Sequence, residues 1–222
     1  MQQKLSDGLD QKREERVSKQ TPSTSLIVDQ FKRPRGLLGA LAGWIMANRA
    51  SNIERNRWTV ELLSLQAGAD VLEIGCGPGI GLEAVLEAAR GTCVTGLDHS
   101  ALMIAKAGRR HVAARKSGRL VLVQGEVKDL PSRHLYNAVF SCNVMQFVDN
   151  RRQSLEQILD RLKPDGLLAT TFQPRGLCAS AEEGRNWIGQ FAEDLCQAGF
   201  RDVDVRERSF GNMPAFCALG VR

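Results

Sequence analysis

The chain has 222 residues, 43% of them apolar, which suffices for one packed domain with an extension and excludes wholesale disorder. Its longest apolar run, 37–46, falls short of the roughly 20 residues that a membrane-spanning helix needs, and the charged opening MQQKLSDGLDQKREERVSKQ lacks the apolar stretch of a signal peptide, so the reading is a soluble, cytoplasmic protein with no membrane span. A net charge of +5 permits an acidic partner without requiring one.

Residues 1–25 are polar and end in Thr-Pro-Ser-Thr-Ser, with too little apolar surface to order them, and are read as a disordered tail. The next segment, 26–66, is read as a helical cap. GLLGALAGWIMANR sets Leu37, Leu41, Trp44 and Ile45 at helical spacing, and RWTVELLSL continues with Trp58, Leu62 and Leu65. These predict two helices, the second ended by Gly68. Beyond it, 67–222 reads as one α/β domain. Strands are predicted over 71–74, 93–98, 120–125, 138–142 and 167–172, and helices over 82–90, 100–116, 151–162 and 181–198. Ser100 suits an N-cap, and Pro164-Asp165-Gly166 suits a turn into the fifth strand. Strands alternating with helices of this length imply right-handed crossovers and a parallel, doubly wound sheet. Segments 203–208 and 215–221, joined by Gly-Asn-Met-Pro, predict a closing antiparallel hairpin.

The chemistry concentrates at VLEIGCGPGIG, 71–81, where an apolar strand runs into Gly75, Gly77 and Gly79 before a helix. Such a turn lets a ligand lie against the main chain, at the carboxyl edge where open α/β sheets bind ligands. The dinucleotide pattern G-x-G-x-x-G fails in both registers, because Ile80 and Leu82 stand where its last glycine would be. Asp98 closes the second strand, where an acid can accept bonds from two ribose hydroxyls; a strand-end cap is the structural alternative. GEVKDLP, 125–131, and FSCNVMQF, 140–147, follow the third and fourth strands at the same edge. The six cysteines form no Cys-x-x-Cys pair and no metal-ligand spacing, so no metal is expected and the thiols read as small buried hydrophobes. Arg109, Arg110, Arg115, Lys116 and Arg119 read as a solvated helix face.

Taken together, residues 71–173 resemble the class I S-adenosylmethionine-dependent methyltransferases, with EIGCGPG, GLDHSALMIAKA, GEVKDLP and DRLKPDGLLATTF similar to that family's successive motifs. The resemblance implies a Rossmann-like seven-stranded sheet, S-adenosyl-L-methionine as cofactor and S-adenosyl-L-homocysteine as product. It also assigns roles. Glu73, Gly75, Cys76, Gly77 and Gly79 would face the methionine part of the cofactor, and Asp98 its ribose. His99 and Met103 would line the adenosine side, Gly125, Glu126 and Val127 would meet the adenine edge, and Asn143 and Val144 would close the pocket. The chain departs from the family at Glu126, at Tyr136-Asn137 and at Asp165.

The sequence names no catalytic base. His111 and His134 read as solvated, and Gln146 stands where relatives often carry a histidine, which favours catalysis by positioning a small-molecule acceptor. Arg175 is a candidate anchor for an anionic substrate, with a solvated turn arginine as the alternative. Trp44, Met46 and Trp58 either line an acceptor pocket or fill the core. An RNA or other nucleic-acid methyltransferase is the rival reading: the charge allows it, but Asn-Val-Met-Gln at 143–146 does not resemble the loop of base amino-group methylases.

Overall fold

A computed structural model describes residues 50–130, 133–175 and 179–222. The cap positions Trp44 and Met46, the first predicted cap helix and Cys178 lie outside these residues. The second cap helix is α1 (Ala50–Leu62). Then follow β1 (Asp70–Ile74), α2 (Ile80–Ala88), β2 (Cys93–Asp98), α3 (Ala101–Arg110), α4 (Val112–Lys116), β3 (Leu120–Gln124), β4 (Tyr136–Cys142), α5 (Arg151–Leu159), β5 (Leu162–Phe172), α6 (Ala181–Gln197), β6 (Arg201–Phe210) and β7 (Met213–Val221). Short 3₁₀ turns at Val127–Asp129 and Met145–Phe147 follow β3 and β4.

The seven strands form one sheet in the order β3-β2-β1-β4-β5-β7-β6. β1 to β5 run parallel, and β7 is antiparallel to both β5 and β6. The chain builds outward from β1 to β3, then returns to lay β4 on the other side of β1. Strand order therefore reverses between β1 and β4, which opens a crevice at their carboxyl ends.

Successive residues of β1 feed opposite faces, as a period of two requires. Val71 joins Trp58, Leu82, Val85, Phe140, Phe210 and Cys217 under α1 and α2. Leu72 joins Val139, Leu155, Ile158, Leu168 and Phe191 under α5 and α6. Each such fully buried large apolar side chain contributes about 1.5–3 kcal/mol. Trp58 is 6% exposed and its ring lies 5.6 Å from that of Phe210, so it packs in the core.

Three local expectations are corrected. The helix predicted over 100–116 breaks at His111, whose backbone (φ −115°, ψ 43°) divides α3 from α4. Pro164-Asp165-Gly166 bulges within β5 instead of preceding it: Tyr136 pairs with Leu162 but Ala138 with Leu167, and Asp165 takes a φ of +59°. Arg201 holds the bulge through Asp165 at 3.0 Å. α1 stops at Leu62, ahead of Gly68, and Ser64 supplies the first left-handed residue, with a φ of +48°. At the Tyr136-Asn137 departure, the Asn137 side-chain oxygen accepts the Asp70 amide and the Lys163 ammonium, both at 2.9 Å, tying the starts of β1, β4 and β5. The closing hairpin forms as expected, with Phe210 paired to Met213 across a Gly211-Asn212 turn.

Candidate active site

The turn after β1 has a different reason for each of its glycines. All three adopt positive φ: +69° at Gly75, +51° at Gly77 and +91° at Gly79. A Cβ at Gly75 would run into the Val144 side chain, and one at Gly79 would lie 2.9 Å from the His111 ring. At Gly77 a Cβ would meet nothing within 4 Å, so this face of the turn is open. The Gly75 and Cys76 amides both donate to the Leu97 carbonyl, at 2.7 and 3.0 Å, which binds the turn to the end of β2. Cys76 is buried, its sulfur facing Gly96.

Beneath the turn lies Glu73, 3% exposed. Its carboxyl accepts the Leu82 backbone N–H in the first turn of α2. Gly81 has no room for a Cβ because Glu73 Oε1 fills the space, and Oε2 has no hydrogen-bond partner. Burial, and secondarily the charge of Asp98, raises the Glu73 pKa well above the ordinary carboxyl value. The N-terminal end of α2, the natural seat of an anion, is thus occupied by the chain's own acid.

Asp98 joins the loops after three strands. Its Oδ2 accepts the Gly77 amide at 2.9 Å and its Oδ1 the Ser100 amide at 2.8 Å. Its carbonyl accepts the Gly125 amide at 3.0 Å. Each carboxylate oxygen retains further acceptor capacity. His99 is exposed, with Nδ1 3.8 Å from Asp98 Oδ1, and Met103 is buried in the first turn of α3. After β3, Val127 is buried, while the exposed Glu126 side chain pairs with Lys128 at 3.0 Å. The Glu126 amide donates to Asp129 Oδ2 at 2.8 Å.

On the other side of the crevice, Asn143 (φ +56°) follows β4 and clamps the end of β5. Its Nδ2 donates to the Gln173 carbonyl at 3.1 Å and its Oδ1 accepts the Gln173 amide at 2.9 Å. Asn143 therefore spends its side chain on the scaffold, while Val144 reaches across to Gly75. Gln146 is half-buried with an unpartnered Oε1, and Arg175 is exposed beyond β5. The glycines, Glu73, Asp98, Gly125 and Val144 thus come together, Glu126 and His99 lie at the rim, and Trp44 and Met46 fall outside the described residues.

Sequence reasoning missed three residues of this edge. His111, expected to be solvated, is 9% exposed, and its Nε2 lies 2.7 Å from the Gly79 carbonyl, propping the glycine turn from below. Arg55 of α1 is 1% exposed and donates from Nη1 to Gln173 Oε1 at 2.5 Å. Gln173, 6% exposed, donates from Nε2 to the Met213 carbonyl at 2.8 Å. Nearby, Thr59 Oγ1 lies 2.6 Å from Thr171 Oγ1 and 3.3 Å from Cys142 Sγ. The break in the helix at His111 is the only local signal; the Arg55–Gln173 contact spans the domain and leaves none. Two surface hollows lie elsewhere. One is at the amino edge of the sheet between Leu63, Gly68 and Lys163, the other beside α3 between Ile104, Val112 and Leu122. Neither touches the glycine turn, Asp98 or Arg55.

Comparison with known proteins agrees with this fold. A sequence family described as a methyltransferase domain matches residues 72–168. A Bacillus subtilis protein described as the uncharacterized methyltransferase YdaC is 32% identical over 80% of this chain and 96% of its own length. A trans-aconitate 2-methyltransferase of Deinococcus radiodurans is 28% identical over 55% of this chain, which spans about half (48%) of that enzyme. Among solved structures, the N-methyltransferase NodS of Bradyrhizobium japonicum, in complex with S-adenosyl-L-homocysteine, superposes with a TM-score of 0.63. It is 17% identical, and the match covers 81% of this chain and 91% of NodS.

Proposed function

Because the chain belongs to the class I S-adenosylmethionine-dependent methyltransferase family, we propose that it transfers the methyl group to a small-molecule acceptor, chiefly by aligning the two reactants. The observation that carries the acceptor class is the roof over the crevice. α1 packs across the ends of β4 and β5, and Arg55, Thr59, Thr171 and Gln173 interlock there as buried side chains. Such a roof suits a compact molecule better than a nucleic-acid strand. The named acceptor of the Deinococcus radiodurans relative, trans-aconitate, is itself small.

The residues present fit a phosphate-free nucleoside. Glu73 already fills the end of α2 where a dinucleotide would need its pyrophosphate, and Gly77 leaves the turn open above. Under this reading the Gly75–Gly79 backbone and Glu73 hold the methionine portion, and Asp98 accepts the two ribose hydroxyls while keeping its bonds to Gly77 and Ser100. His99, Met103, Gly125, Glu126 and Val127 border the adenosine, and Val144 closes the crevice against Gly75. When bound, the cofactor supplies a methyl already activated on a sulfonium. The chain then has to orient a nucleophile in line and exclude water, and such orientation supplies about 7–11 kcal/mol of a barrier. Gln146 carries an amide and can position an acceptor group but cannot remove its proton.

The test is a metabolite extract incubated with the chain and isotopically labelled S-adenosylmethionine, with small-molecule and RNA fractions separated afterwards. Label in a discrete small molecule is the expected result. Label confined to RNA would instead establish the nucleic-acid reading.

A further inference from the structure

We propose that the methyl acceptor bears an oxyanion, a carboxylate or a phosphate monoester, and that Arg55 is its anchor, with Arg175 as the second cation. The inference rests on the reading of the β4–β5 edge as the acceptor side.

Arg55 is a guanidinium with 1% exposure. Its bonds go to neutral amides: Nη1 to Gln173 Oε1, and Nη2 to Asn52 Oδ1. Nε is buried without a partner. Among the described residues no carboxylate lies within ion-pair distance of it. The titratable group that acts on it, Cys142, is no counter-ion, since burial pushes its thiol up to about 11. Burial lowers the Arg55 pKa from its ordinary value, the direction expected of a cation stripped of water and given no opposite charge among the described residues.

A buried ion without a counter-charge costs several kcal/mol. The local scaffold gives no reason to bear that cost, because a neutral donor would satisfy Gln173 and Asn52 equally well. Gln173 is itself rigidly aimed. Asn143 clamps its backbone on both sides, and its Nε2 is fixed on the Met213 carbonyl, leaving Oε1 for Arg55. A second cation lies on the same edge of the sheet: Arg175, exposed two residues beyond Gln173, adds a weaker positive influence on Cys142 than Arg55 does. One buried guanidinium thus sits by the ends of β4 and β5, and an exposed one follows just beyond β5, beside the crevice where strand order reverses. Their planar forks match the paired oxygens of a carboxylate or phosphate.

The experiment titrates the full chain, saturated with S-adenosylhomocysteine, with citrate or inorganic phosphate at constant ionic strength. Triethyl citrate and trimethyl phosphate are the neutral controls, and calorimetry and the thermal midpoint are the readouts. At least one anion binds and raises the midpoint, the neutral esters do neither, and R55Q and R175Q each weaken anion binding by about tenfold or more. Citrate alone identifies a carboxylate acceptor, and phosphate alone a phosphomonoester. Should R55Q fail to fold, R55K keeps the charge but loses the fork, and is expected to bind the anion more weakly with S-adenosylhomocysteine affinity unchanged. Anion binding equal in wild type and folded Arg55 variants, or no anion binding to a chain that binds S-adenosylhomocysteine, overturns the anchor alone. A chain that does not bind S-adenosylhomocysteine overturns the site assignment beneath it. The titration is then run without that ligand, with the same loss expected in the variants.

Discussion

The two sides of the crevice are built by different means. Around β1, β2 and β3 the surface is main chain: glycines at positive φ, amides gathered on Asp98, and a carboxyl tucked under the start of α2. Around β4 and β5 it is side chain: Arg55 and Thr59, on a helix from another part of the chain, interlock with Cys142, Thr171 and Gln173. A main-chain surface offers the same donors and acceptors whatever the side chains, which suits a constant ligand. A side-chain surface can be altered one residue at a time, which suits a ligand that differs between relatives. The division makes a claim: damage on the first side should fall on cofactor affinity or the glycine turn, and damage on the second on the acceptor and the roof.

The largest effect is expected at Glu73 as pH rises above the ordinary carboxyl range. In the unfolded chain a glutamate titrates near about 4.3, whereas in the fold the Glu73 pKa is raised well above that value. The folded chain then holds the proton more tightly, so the carboxyl's contribution is complete below the unfolded value and is lost as pH rises through the folded one. E73Q removes the ionisation. Its unfolding free energy relative to wild type should be near constant below about pH 4 and move in favour of the variant as pH rises from there towards the folded pKa. Denaturant unfolding across pH measures this, and a difference that stays flat would mean that Glu73 is not a buried, proton-holding acid.

Gly79 follows. An alanine there must adopt a φ of +91° and set its Cβ 2.9 Å from the His111 ring. Left-handed strain of about 1–2 kcal/mol and overpacking of about 1–3 kcal/mol together put G79A at about 2–5 kcal/mol of lost stability. G79A/H111A should recover part of the loss, by relieving the steric share only. A double variant no more stable than G79A would break the view that the His111 ring supplies the steric share of the loss.

D98A tests the same side through binding. Loss of ribose bonds to a charged acceptor is expected to weaken S-adenosylhomocysteine binding about tenfold or more, read by calorimetry. Unchanged affinity in a folded variant would remove Asp98 from the nucleoside site and leave it as a loop clamp.

The contrast between the two sides also explains what the sequence discloses. The glycine turn is a local device: Gly75, Gly77 and Gly79 are contiguous, follow an apolar strand and precede a helix, so their conformation is written in adjacent letters. Asp98 is legible for the same reason, as the last residue of a strand. Strand alternation carried the sheet, because period and spacing survive without knowledge of contacts. Arg55 and Gln173 meet across 118 positions, and nothing near either residue announces the other. His111 was hidden by the basic residues around it, which describe a solvated helix until the backbone breaks and turns the ring inward. Asp165 misled in a milder way: the turn chemistry was read correctly, but hydrogen bonds on both sides absorb it into β5 as a bulge.

The smallest effect should come from the roof, and its form matters more than its size. Thr59 Oγ1 donates to the Arg55 carbonyl at 2.9 Å, accepts from Thr171 Oγ1 at 2.6 Å and lies 3.3 Å from Cys142 Sγ. Valine keeps the shape of threonine and removes the hydroxyl. T59V leaves Thr171 with a buried hydroxyl short of a partner, and should cost about 1 kcal/mol in denaturant unfolding. T59V/T171V removes both groups together, so its cost should be less than the sum of the single costs, the signature of a direct interaction. S-adenosylhomocysteine affinity should not change in any of the three, since neither threonine belongs to the glycine turn or to the Asp98 junction. Strict additivity would show that the two hydroxyls are not coupled. A fall in cofactor affinity comparable to that of D98A would join the two sides into one unit and end the distinction between a main-chain side for the constant ligand and a side-chain side for the variable one.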